Sequence, residues 1–167
     1  MGNLLNKQPD YVIMQTKWGT TRKYLYESGM LFKEFKSNLK VGGFPLVHIS
    51  IGVSPETGKR IWAKGVIAIG RKAIGVIAIG QLSLGIIAIG QLSIALVFGL
   101  AQLSIAGFFS IGQAAAGIIA IGQFSYGYYA LGQIAYGQYI LSMSTKDFEA
   151  VNFFHGLWHK VSSILNR

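Results

Sequence analysis

His155 and His159 stand four residues apart, a spacing that brings two imidazoles to one face of a helix and could begin a zinc site. No Glu follows His155 and no third ligand accompanies the pair, so packing at an interface is the expected role. Gly52 to Arg60 resembles a phosphate loop in outline only. Five residues rather than four separate Gly52 from Gly58, and Arg60 occupies the place of the Ser or Thr that would meet Mg²⁺. A turn is the expectation there. His48 stands alone in sequence and reads as structural. The central region has no paired carboxylates, and its serines lack a nearby base. These residues predict no catalytic group, metal, cofactor or small-molecule substrate, and hence no enzyme.

The elements that would have to position any such chemistry are dominated by a repeat, which governs every other reading of the chain. From Gly65 it runs GVIAIGRKAI, GVIAIGQLSL, GIIAIGQLSI, ALVFGLAQLSI, AGFFSIGQAAA, GIIAIGQFSY, GYYALGQIAY and GQYIL. Gly recurs every five residues from Gly65 to Gly90 and again from Gly107 to Gly137. A longer period is marked by Gln81, Gln91, Gln102, Gln113, Gln123 and Gln133, with two eleven-residue units accounting for the slip between the two glycine series.

Hydropathy alone would place several membrane-crossing helices here, because residues 73–145 carry no charge. The period argues against them. Residues five apart are rotated by about 140° on an α-helix, so the glycines would spiral and form no packing seam. Each would also cost roughly 1 kcal/mol relative to Ala. Extended chain suits the spacing better, with Gly supplying corners through positive φ or close backbone approach. The predicted fold is mainly β: a hydrophobic β-solenoid whose coils stack through backbone hydrogen bonds about 4.8 Å apart. The two extra residues near 95–107 fit as bulges. Stacking would bring the six glutamines into a hydrogen-bonded amide ladder. Coil size is left open. Ten residues per coil would give a height of about 36 Å, whereas twenty would give about 19 Å, less than a ~30 Å hydrocarbon core.

Composition points to a membrane. Hydrophobic residues make up 51% and charged residues 13% of the 167, about half the usual charge of a soluble domain. Residues 1–72 hold twelve of the fifteen Lys and Arg, which predicts a cytoplasmic basic segment drawn to anionic headgroups. Nucleic acid is not expected as a partner of the +9 chain, because no base-reading motif accompanies its basic residues. The absence of Cys excludes disulfides. The start, Met1 to Lys7, has no apolar core for a signal peptide, and Asn6 replaces the Ser or Thr of a myristoylation site. Trp62, Lys64, Arg71 and Lys72 mark one end of the array, while Phe124, Tyr126, Tyr128, Tyr129, Tyr136 and Tyr139 crowd the other. They are read as two membrane-interface belts, the far cluster alternatively as an end layer of large residues in the core.

Three segments follow: a basic N-terminal cap (1–42), the repeat domain (43–141) and a C-terminal amphipathic helix (142–167). Residues 11–36 can form a hairpin cap turning near Trp18-Gly19. A lead-in strand, Leu46 to Ile51, is followed by a turn over Ser54 to Gly58 and by Arg60-Ile61-Trp62. In the tail, Ser144 or Thr145 can cap a helix with Asp147 and Glu149 in its first turn. Phe148, Val151, Phe154, Trp158, Val161 and Leu165 line its apolar face, which either lies in the bilayer interface, with Trp158 as an anchor, or closes the solenoid.

The five-residue period resembles pentapeptide-repeat β-helices, with Ile69, Ile74, Ile79, Leu84 and Ile89 in the place of their central apolar residue. A nearer likeness is to uncharacterised bacterial proteins in which a Pro-Leu-Val-His-Ile lead-in, here within Phe44 to Gly52, precedes Ile-Ala-Ile-Gly repeats. That resemblance spans roughly residues 43–141 and implies architecture, with no activity attached. Taken together, the residues lead to a non-catalytic structural protein embedded in a lipid bilayer and assembling as a homo-oligomer. The rival readings are a multi-pass helical protein or inter-subunit channel, and a self-assembling scaffold or filament.

Overall fold

The computed structural model describes residues 9–166. The start of the chain, where the signal-peptide and myristoylation expectations fall, and Arg167 lie outside them. The fold is mainly β with one C-terminal helix. In chain order the elements are β1 (Val12–Gln15), β2 (Gly19–Leu25), β3 (Leu31–Ser37), β4 (Lys40–Val41), β5 (Phe44–Pro45), β6 (Val47–Ile51), β7 (Trp62–Ala106), β8 (Phe109–Leu141) and α1 (Phe148–Leu165). Residues 73–141 are therefore strand over nearly their whole length. Among the described residues no helix is long and apolar enough to cross a membrane.

The chain forms two compact units, Met1–Gly90 and Gln91–Arg167, with the division inside β7. In the first, β1, β2 and β3 pair antiparallel, and β3 continues antiparallel to β6. The β1–β2 turn is closed by Thr16 and Gly19, each of whose amides donates to the other's carbonyl, at the place the Trp18-Gly19 reading expects. A small hairpin, β4–β5, turns on Gly42 and Gly43, both at positive φ as a two-residue hairpin loop of this kind requires. β6 then pairs parallel to β7, Val47 opposite Ile67. The Ser54 to Lys59 turn lies between them, with Ser54 and Lys59 joined by an amide-to-carbonyl bond.

A strand as long as the 45-residue β7, run straight, would reach about 150 Å at ~3.3 Å per residue; β7 instead returns on itself. A Cβ built on Gly75, Gly80, Gly85 or Gly90 would overlap the carbonyl oxygen of the glycine ten residues earlier. None of the array glycines has positive φ. Of the two expected properties of these glycines, positive φ is therefore corrected, while close backbone approach is what the array shows. The use of glycine here is the absence of a side chain where one backbone rests on another.

What faces inward is small. Ala63, Ala68, Ala73, Ala78, Ser83 and Ala88 are fully buried in the first unit. In the second unit Ser93, Ser104, Ser110, Ala120 and Ala130 are likewise fully buried, with Ala115 and Ser125 nearly so. The step of five becomes six between Ser104 and Ser110, and the β7–β8 register there is eleven, with Phe98 opposite Phe109 and Ala101 opposite Gly112. The longer repeat units thus take the form of a shifted register. Ile74, Val76, Ile79 and Ile86 in the first unit, and Ile94, Leu96, Leu103 and Ile118 in the second, are exposed.

Helix α1 corrects the expected tail in two respects. Its N-cap is Asp147, in extended conformation, without a side-chain capping bond. The Asp147 carboxylate instead accepts the Ile140 amide at 2.7 Å, and Thr145 is engaged in a turn with Ser142. The buried face is also rotated from the expected one: Ala150 and Phe154 cluster with Ile119, and Phe153 and Leu157 pack beside them. Phe148, Trp158 and Leu165 are exposed.

Candidate functional site

The densest polar arrangement lies in the first unit and is built on strand periodicity. Residues two apart on a strand share a face, and β3 places Phe32, Glu34 and Lys36 in that relation. Register brings Arg22 of β2 opposite Glu34, and His48 of β6 opposite Lys36. The Glu34 carboxylate, 2% exposed, accepts hydrogen bonds from Arg22 Nε at 2.9 Å, Lys36 Nζ at 3.0 Å and His48 Nε2 at 3.0 Å, with Arg22 Nη2 also in contact. Burial alone would push this carboxyl upward; the bonds from His48, Arg22 and Lys36 outweigh it and hold its pKa well below the usual range. Arg22 also lies 5.1 Å above the Tyr11 ring, and the Tyr11 hydroxyl donates to Glu56 at 2.9 Å.

His48 is buried and bonded rather than isolated. Its Nδ1 meets the Lys64 amide at 2.8 Å and the Lys64 carbonyl at 3.1 Å, and its Nε2 meets Glu34 Oε1 at 3.0 Å. With both ring nitrogens engaged, the imidazole has no free nitrogen to serve as a general base. The arrangement ties β3, β6 and the beginning of β7 together. Glu34, Arg22 and Lys36 escaped the sequence reading because twelve or more residues separate Glu34 from its partners Arg22 and His48. The available signal was the Lys33-Glu34-Phe35-Lys36 alternation, one acid among cations.

The belt residues divide into different environments. Trp62 is half-buried with Lys72 Nζ 5.4 Å from its ring centroid, and Arg71 is exposed. Tyr126, Tyr128 and Tyr136 are exposed. Tyr129 stacks on Phe153 of α1 at 4.0 Å and on Tyr139 at 5.1 Å, so this pair helps to seat the helix. Trp158 is 69% exposed. Gln81, Gln91, Gln102, Gln113, Gln123 and Gln133 all face outward. Among the described residues no hydrogen bond joins one Gln amide to another. The hydroxyls that do meet along the array are internal: Ser93 Oγ donates to Ser104 Oγ at 3.0 Å. His155 and His159 lie with ring centroids 4.4 Å apart, and the described residues contain no group of three metal-capable side chains.

Comparison with protein-family models, with curated proteins and with solved structures finds no match to the chain.

Proposed function

We propose that the chain is a non-catalytic, membrane-embedded structural β-solenoid of ten-residue coils that assembles into oligomers. One observation carries this reading: the array has small residues inside and large apolar residues outside. A buried alanine methyl contributes about 0.8 kcal/mol, whereas an Ile, Val or Leu side chain left in water forfeits about 1.5–3 kcal/mol. An interior of Ala and Ser beneath exposed Ile, Val and Leu is the arrangement expected when the surrounding solvent is itself apolar. The ten-residue spacing of the glycine contacts supports the coil length. The basic segment ahead of the array supports a cytoplasmic N-terminal side.

The test is flotation of the purified protein with lipid vesicles on a density gradient. Membrane embedding predicts that it floats with vesicles and stays with them through a carbonate wash. A protein that remains dispersed and single in plain buffer would end the proposal. Pelleting without lipid as long polymers would favour the scaffold reading instead.

A further inference from the structure

Two open grooves adjoin in the first unit and share Phe44 and Lys64. One, of about 530 Å³, is lined by Lys36, Thr57, Arg60 and Lys64 together with Pro45, His48, Ile61 and Trp62. The other, of about 510 Å³, is lined by Val41, Val66, Ile74 and Val76 and is mostly apolar. Both lie within the size range of ordinary small-molecule sites. Neither groove is lined by a carboxylate. Lys36 already bonds Glu34, but Arg60 and Lys64 have no acidic partner among the described residues, and both are exposed. Two uncompensated cations therefore share one groove, and Lys64 and Phe44 carry it over into the apolar one.

We propose that these joined grooves bind one anionic phospholipid, its phosphate held by Arg60 and Lys64 and an acyl chain lying along Val41, Val66, Ile74 and Val76. Arg offers a planar fork matched to phosphate oxygens, and Lys a point charge. Thr57 adds a hydroxyl at the same groove. A free phosphate would use only the polar half of the site and a neutral lipid only the apolar half. An amphiphile with a negative head uses both. The inference rests on the membrane reading above and deepens it.

The experiment uses the full-length protein with Trp18 and Trp158 replaced by Phe, so that Trp62 is the reporter, in mixed micelles containing lipid brominated on its acyl chains. Brominated phosphatidylglycerol is expected to quench Trp62 at lower mole fraction than brominated phosphatidylcholine, by roughly fivefold for each engaged cation. The R60Q/K64Q variant is expected to lose that preference. The K23Q/K33Q variant, which removes the same charge from a cross-strand pair outside the grooves, is expected to keep it. The fold is expected to tolerate R60Q/K64Q, because the backbone of Lys64, not its side chain, contacts His48.

Equal quenching by both lipids, or equal loss in both double variants, would overturn the site while leaving membrane embedding intact. Absence of quenching by either lipid would overturn both. Displacement of the lipid by millimolar inorganic phosphate would make the groove a simple anion site, and displacement by a short oligonucleotide would reassign it to nucleic acid; either result overturns the lipid proposal.

Discussion

At Glu34, burial and hydrogen bonding act in opposite directions on one carboxylate, and the bonds prevail. A group whose folded pKa is depressed stabilises the fold fully above its unfolded value, about 4.3 for Glu, and loses that contribution as pH falls toward the folded value. Unfolding at pH 7 and pH 6 should therefore show the same contribution from Glu34, with loss beginning only in the acid range. E34A removes the acceptor shared by Arg22, Lys36 and the buried His48 Nε2–H, and is expected to destabilise by about 3 kcal/mol. E34Q keeps one acceptor and should cost less; denaturant titration of both variants would check the order. Ser125 provides the opposite case. Its buried hydroxyl has no hydrogen-bond partner among the described residues, and an unmet buried hydroxyl costs about 1–3 kcal/mol. S125A places there the residue that Ala120 and Ala130 already supply one step away on either side, so a gain of about 1 kcal/mol is expected in the same titration. Neither effect was legible in the sequence, where Ser125 looks like any other serine of the repeat and Glu34 like a surface acid.

The strands themselves were largely legible, because a five-residue glycine period with β-branched residues between is incompatible with a helical seam. The lead-in strand, the turn after it and the C-terminal helix lie where local residue chemistry placed them. Three features did not follow from local rules. The role of the array glycines depends on what lies across from them: Gly80 meets the carbonyl of Gly70, an encounter invisible in either residue alone. The outward glutamines are joined by no amide-to-amide bond among the described residues, because regular stacking does not by itself orient long side chains. The buried face of α1 differs from the expected one because both Phe153 and Phe154 were available, and packing of Phe153 on Tyr129 fixes the rotation. Two glycine substitutions separate the array from the helix. G80A would drive a methyl into the Gly70 carbonyl and is expected to cost about 3 kcal/mol or more, at the upper end of overpacking, roughly 1–3 kcal/mol. G156A on α1 meets nothing within 4 Å and should stabilise by about 1 kcal/mol, the helix-propensity difference. Thermal unfolding of the two variants in one detergent would show shifts of opposite sign.

For the molecule as a whole, charge and hydropathy are segregated: twelve of fifteen cations precede residue 73, and residues 73–145 have none. Attraction of the basic segment to anionic headgroups is screened at 1 M salt, where the Debye length is about 3 Å. Burial of apolar side chains is not weakened in that way. Washing loaded vesicles at about 1 M salt is therefore expected to leave the protein bound, and release at that step would point to surface adsorption. The glycine-on-carbonyl contacts carry a further consequence for how such a chain can change in length. Excising residues 76–85 joins Gly75 to Ile86, sets Gly90 over Gly70 in place of Gly80 and leaves the contacts of the later glycines as they are, so the shortened protein should fold. Excising residues 79–85 instead sets Gly90 over Ala73 and brings bulky neighbours onto bare carbonyls, and it should not. Growth and loss are thus favoured in whole repeat units, ten residues over most of the array and eleven where Phe98 lies opposite Phe109, and the chain behaves as a ruler best cut at its graduations.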